Sequence, residues 1–254
     1  MRILVKIGSA LISQDNQINY NFISRKVKEM SALKARGHEI ILVSSGAVAA
    51  GMELRGITER PKDTLHLQML SGMGQVNLIK YYKDFFRENN QFIAQVLVTH
   101  HNFDKEKEVQ TLMTVLDAYL NEGTIPIINE NDIVDKTELE GANYFSDNDI
   151  LAAVVSVNLK VDLTVILTDV DGLFADNPKE NPQARFFDEV DEITEEIYRM
   201  SEHGKSYLGL GGMKSKVKAA EMATDKGIPV IVANGNRSLV DIIDGKVRRT
   251  FFRP

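Results

Sequence analysis

Short apolar runs separated by stretches of helical periodicity constrain this chain more than any other feature. Glu39-Ile-Ile-Leu-Val43 follows a segment in which Ile23, Val27, Met30 and Leu33 recur at helical spacing and which stops at Gly37. A run of this kind reads as a strand buried on both faces, and strand, helix, strand in that order is the pattern of a parallel crossover. The same alternation continues through runs at 92–98, 125–129, 163–168 and 229–233, with a last short strand expected at 250–252. The class is therefore α/β.

With 254 residues the chain accommodates one large domain or two small ones. The turn-rich stretch 176–183, with Asn177-Pro178 and Asn181-Pro182, has no linker character, so one domain with two lobes is expected, roughly 1–160 and 161–254. A formal charge of −6 argues against nucleic acid or an anionic membrane surface as a general partner. The absence of cysteine excludes disulfides and thiolate chemistry. The five histidines show no HExxH-like spacing, so no protein-bound catalytic metal is expected. Residues 1–8 lack the apolar core of a signal peptide, and no apolar run approaches a membrane span; a cytoplasmic address is expected.

Chemistry-bearing residues collect where the strands end. The first strand carries Lys6 inside an apolar run and closes on Gly8-Ser9, which delivers an ammonium group to a small-residue turn. The 39–43 strand discharges into Ser44-Ser-Gly-Ala, a candidate anion loop at a helix start. The 125–129 strand runs into Asn129-Glu-Asn-Asp132, a carboxylate and amide cluster suited to an amino group. A polar segment without helical period, 133–146, reads as a hairpin or mobile loop and leads to Asp147-Asn-Asp149 at the head of a helix. The 163–168 strand closes on Thr168-Asp169, and Gly209-Leu-Gly-Gly-Met-Lys-Ser-Lys216 opens another helix. This last segment does not fit GxxxxGK[ST], so it represents a different phosphate site. Parallel topology gathers such turns along one sheet edge. There Lys6 and Lys216 can neutralise a transferring phosphoryl group, with backbone N–H groups at Gly8, Gly46, Gly211 and Gly212 around the phosphates.

VKIGS at 5–9, VSSGAVAAG at 43–51, PIINENDIV at 126–134, SDNDILAA at 146–153, LTDVDGLF at 167–174 and GLGGMKSK at 209–216 follow one pattern in order and spacing. On these six motifs the chain resembles the amino acid kinase family, and within it the branch that acts on glutamate. The resemblance implies an open, largely parallel sheet between helix layers, an αβα sandwich. It implies transfer of a phosphoryl group from ATP, carried with Mg2+, to the side-chain carboxylate of L-glutamate, with L-proline as a feedback inhibitor. By the same likeness Lys6 and Lys216 clamp the phosphoryl group and Asp149 holds both lysines. Ser45, Asn129, Asp132, Asp147 and Asn148 fall at glutamate-site positions. Lys6, Gly8, Thr168, Asp169, Leu210, Gly211, Gly212, Met213, Lys214, Ser215 and Lys216 fall on the nucleotide side. Leu210 and Lys214 depart from the family pattern. A PUA domain, which longer relatives append after the kinase, is not expected in 254 residues.

Two further readings remain open on sequence. One is a family member acting on aspartate, acetylglutamate, carbamate or a nucleotide monophosphate. The other is a non-catalytic amino-acid sensor, since fold alone does not fix function. The methionine-bearing stripe of Met69, Met73, Val76, Ile79, Tyr82 and Phe86 reads as core or subunit contact, and a homo-oligomer is expected.

Overall fold

The structure is a computed structural model, and it describes residues 1–14, 17–135, 148–202 and 212–254. Its centre is an eight-stranded sheet in the order β5-β6-β4-β1-β7-β9-β10-β8. The strands are β1 (Arg2–Ile7), β4 (Glu39–Val43), β5 (Ile93–Val98), β6 (Ile125–Glu130), β7 (Leu163–Thr168), β8 (Glu189–Val190), β9 (Val230–Asn234) and β10 (Thr250–Phe252). β1 lies between β4 and β7 and is parallel to both; within this sheet, among the described residues, only the β9–β10 pair is antiparallel, and β2 (Ser13–Gln14) and β3 (Gln17–Ile18) form a separate antiparallel pair. The chain first builds outward from β1 through β4, then returns to β7 on β1's other side. Loops diverge at such a reversal and leave a crevice at the C-terminal strand ends.

Side-chain alternation along β1 assigns its residues to two helix layers. Ile3, Val5 and Ile7 pack into one core with residues of α2 (Tyr20–Ala35), α4 (Thr64–Glu88) and α9 (Leu239–Ile243). Leu4 belongs to the opposite core, with α5 (Glu106–Asn121), α6 (Asn148–Leu159) and α8 (Met213–Thr224). With a period of two, Lys6 shares Leu4's face and so meets α6 and α8. The apolar runs inside the sheet are buried, as the parallel arrangement requires, with all six residues of β6 and all six of β7 buried, whereas β5, at the sheet edge, buries only Val98 and so departs from the doubly buried strand expected at 92–98. The expected sheet between helix layers is what forms.

The α4 stripe read from sequence is corrected. Tyr82 and Phe86 are buried, but Met69 and Val76 are 56 % and 71 % exposed, and the face turned inward is Leu67, Leu70, Ser71, Gly74, Gln75 and Leu78. Two polar residues and a glycine lie on that face, which is why apolar periodicity alone misplaced it. The polar positions reach the strand ends beyond, and the glycine permits a close helix contact. α3 (Ala47–Arg55) crosses α4 so closely that a Cβ on Gly74 would collide with the Ala47 carbonyl oxygen, and one on Gly51 with that of Leu70. Both obstacles are backbone, which cannot rotate away. Gly74→Ala is therefore expected to lower unfolding free energy by about 3 kcal/mol, the upper part of the overpacking range. Urea unfolding of the two proteins checks this; an unchanged midpoint would mean that the helices separate at no cost.

Candidate active site

The central feature is one buried carboxylate between two lysines. Asp149, in the first turn of α6, is fully buried, and Lys6 and Lys216 are only 3 % and 5 % exposed. Lys6 Nζ lies 2.5 Å from Asp149 Oδ1, and Lys216 Nζ lies 2.9 Å from Oδ2. Lys6 thus turns inward, where a lone surface lysine would extend to water. Burial by itself would push the Asp149 carboxyl up, but Lys216 and Lys6 together overcome it and hold the group well below the ordinary carboxylate range. The Ser215 hydroxyl, 2.8 Å from Asp149 Oδ2 and 2.9 Å from the Gly212 carbonyl, ties the start of α8 to the same carboxylate. Among the described residues this cluster sets two cations on one anion at the strand ends, where the sequence places its candidate phosphate turns.

On the β4–β6 side, Asn148 Nδ2 donates to Ser45 Oγ at 3.1 Å and to Asn129 Oδ1 at 3.2 Å. Three of the expected substrate positions are thereby joined. Asp132 lies in the turn after β6, and its Oδ2 accepts from Ser71 at 2.5 Å. Its Oδ1 is buried and lacks a hydrogen-bond partner among the described residues. Burial is costly for such an atom unless something else satisfies it. It also raises the Asp132 carboxyl to about 6, a rise that the Ser71 bond and Arg60 oppose and Asp135 reinforces. Neighbouring Glu130 is pushed to about 8, by burial first and then by Asp132 and Asp135. It is therefore protonated at neutrality and leaves Asp132 as the anion of the pair.

On the β7 side, Thr168 Oγ1 donates to Asp169 Oδ1 at 3.3 Å, and Lys179 Nζ approaches Asp169 Oδ2 to 2.5 Å. The turn-rich excursion thus returns a cation to the strand end. Gly8 donates its N–H to the Leu167 carbonyl at 3.3 Å; a Cβ there would come within 3.9 Å of Lys6 Nζ, so its missing side chain keeps space in front of the ammonium. Gly212 caps α8 without any side-chain hydrogen bond, so the helix N-terminus presents backbone donors and positive dipole. Met213 packs partly into the core, and Lys214 is half-buried beside it. Asp147, Leu210 and Gly211, together with most of the polar 133–146 segment, lie outside the described residues.

Sequence reasoning missed the supports from α4. Ser71 holds Asp132, Gln68 Nε2 donates to the Asp132 carbonyl at 2.8 Å, and Gln75 Nε2 to the Glu130 carbonyl at 3.2 Å. Their spacing of three and four residues along one helix was the available signal, since it puts polar groups on a single face. Lys179 carried no signal of its own.

A parallel sheet whose strand ends gather paired ammonium groups, a glycine-capped helix N-terminus and a second buried carboxylate suits a phosphotransferase built without a P-loop. Residues 1–234 match the amino acid kinase family, and the chain belongs to it. It is 39 % identical over 254 residues to the glutamate 5-kinase of Lactococcus lactis subsp. lactis (strain IL1403), a match spanning 99 % of this chain and 94 % of the relative. The glutamate 5-kinase of Carboxydothermus hydrogenoformans is also 39 % identical, over all of this chain and 68 % of its own length. In structure the chain is similar to the carbamate kinase of Giardia lamblia bound to AMP-PNP, with a TM-score of 0.65 at 17 % identity and coverage of 99 % and 98 %.

Removing the shared carboxylate leaves two buried ammonium groups facing each other. Asp149→Ala should destabilise the fold by about 3 to 5 kcal/mol, the cost of orphaning a buried charge. Lys6→Met should cost less, because Lys216 still compensates Asp149. Urea unfolding ranks the variants, and the opposite ranking would show that Asp149 does not hold the pair together.

Proposed function

We infer that this chain is an ATP-dependent kinase that phosphorylates the side-chain carboxylate of L-glutamate, giving L-glutamyl 5-phosphate, the first step of proline synthesis. The observation that carries the reading is the Lys6–Asp149–Lys216 cluster. An oxygen of the glutamate carboxylate attacks the γ-phosphorus of ATP; the new O–P bond forms as the bond to the β-phosphate oxygen breaks and ADP leaves. The nucleophile is already ionised, so no proton needs removing and no histidine or other base is needed. Catalysis reduces to placement and charge stabilisation.

Lys6 and Lys216 are assigned to the oxygens of the transferring group. An ammonium has three N–H donors, so the bond to Asp149 does not prevent contact with a phosphoryl oxygen. Asp149 is a positioning residue that fixes where the two charges lie. ATP fits the β7 and α8 side, where Gly212 leaves helix N–H groups without a side-chain cap and Thr168, Asp169 and residues 213–216 line the strand ends. Leu210 and Gly211 extend this assignment on the basis of family likeness. Mg2+ is assigned to the nucleotide's phosphates, where it neutralises charge, and no protein ligand is assigned to it. Ser45, Asn129, Asn148 and, by likeness, Asp147 are assigned to glutamate, with its ammonium on Asp132 Oδ1. In this division residues up to about 160 chiefly take the amino acid and the remainder the nucleotide.

Coupled ADP release with ATP and a panel of acidic amino acids, carbamate and nucleotide monophosphates is the direct test. Turnover should require glutamate, and a folded Lys216→Ala variant should lose about a hundredfold or more, as for loss of one preorganised charge contact. Turnover with another acceptor, or none at all, overturns the assignment. In the same assay L-proline should inhibit and be relieved by glutamate, because it offers the same α-carboxylate and a cationic amine but no carboxylate to phosphorylate. Inhibition unrelieved by saturating glutamate would refute a shared site.

Asp132 must be ionised to pair with an ammonium. With its carboxyl at about 6, acid protonates it and removes the pairing. The Michaelis constant for glutamate should climb below that pH, approaching about tenfold per unit, with a smaller effect on the maximal rate. Asp132→Asn should raise the constant at neutral pH and abolish this dependence. A variant retaining the wild-type acid profile would assign the titration to another group.

A further inference from the structure

A second cluster lies beside the Asp132 turn and is not used by the chemistry above. His100 and His101 open a 3-10 turn, His100–Phe103, directly after β5, and Asp135 ends the turn that follows β6. Parallel pairing of β5 with β6, in register through Val98 and Glu130, brings these residues together across 34 positions of sequence. Asp135 Oδ2 lies 3.0 Å from His100 Nδ1 and 3.9 Å from His101 Nε2. One candidate ligand atom from each residue lies within 4.8 Å of the other two.

We propose that His100, His101 and Asp135 form a binding site for a divalent transition-metal ion of the Zn2+ type. Two observations favour this over a simple His–Asp hydrogen bond. First, a single bond needs one imidazole, whereas here two converge on one buried carboxylate. Nitrogen and oxygen ligands about 2.0 to 2.2 Å from a tetrahedral zinc lie about 3.3 to 3.6 Å apart, between the 3.0 Å and 3.9 Å observed. Secondly, the other nitrogen of His101, Nδ1, is 3.1 Å from Asp104 Oδ2. In the tautomer that gives Nδ1–H to Asp104, the Nε2 lone pair faces Asp135, the arrangement in which metal-bound histidines are held. Two imidazoles and one carboxylate suit zinc, cobalt or nickel and not Mg2+, so the ion carried by the nucleotide would not compete. A fourth position is left for water.

The ion would fasten the end of β5 to the turn that carries Asp132. That turn is already anchored there, since the Asn131 N–H donates to the Val98 carbonyl at 2.8 Å and the Asp135 N–H to Asn131 at 3.1 Å. The site stands apart from the kinase reading, because binding is measured without turnover.

The experiment is titration of the purified full chain with Zn2+ by calorimetry and with Co2+ by absorbance, in the presence of excess Mg2+. One equivalent should bind, Co2+ should show the visible bands of tetrahedral coordination, and Zn2+ should raise the melting temperature. His101→Ala, at an exposed position that the fold does not need, should abolish the bands and the shift, as should Asp135→Asn. Asp104→Ala should weaken binding about tenfold while leaving the stoichiometry intact, the size of effect expected for a group that orients a ligand. Lack of saturable Zn2+ binding, octahedral Co2+ spectra, or binding unaltered in folded His101→Ala would overturn the proposal.

Discussion

Everything in the crevice depends on Asp149. A carboxylate with no access to water would normally be neutral, and Lys216 and Lys6 beside it keep it ionised. The three come from separate parts of the chain, β1, α6 and α8, and are joined only because β1 is the central strand and the other two begin over its end. Such clusters are poor sources of net stability, since desolvation offsets most of the Coulomb gain. What the cluster secures is position: two mobile side chains are held a fixed distance apart on a shared anion.

The turn after β6 is organised by the opposite logic. Instead of neutralising Asp132, the fold supplies one donor, Ser71, to one oxygen and leaves the other buried without a hydrogen bond among the described residues. Burial raises this carboxyl to about 6 and pushes neighbouring Glu130 further, to about 8. The strand ends therefore hold one carboxylate far below its ordinary range and two above it.

Much of this architecture was legible in the sequence. Doubly buried strands announce themselves as continuous apolar runs, and the five runs fix the α/β class, the parallel sense and the strand ends at which polar residues collect. Lys6 stood out because it interrupts an apolar strand, Asp149 because it closes an Asp-Asn-Asp cluster at the head of a helix, and Lys216 because it follows a glycine-rich turn. The inward face of α4 was less legible because its contributors to the site, Gln68, Ser71 and Gln75, look like ordinary surface polar residues until a strand end is placed opposite them. The same holds for Lys179, whose partner is ten positions away around a turn. His100 and His101 meet Asp135 only through strand register, which spacing rules for single motifs do not capture.

The close crossing of α3 and α4 has a mechanical meaning. Where Gly51 and Gly74 face opposing carbonyls there are no rotamers to rearrange, so the helices cannot slide by repacking side chains as ordinary helix pairs do. They behave as one stiff lever. One arm carries Ser71 and Gln68 to the turn holding Asp132; the other begins at Gly46, beside Ser45. The rigid pair therefore fixes the turn holding Asp132 and the loop holding Ser45 relative to each other, while Lys6 and Lys216 are held from the other helix layer.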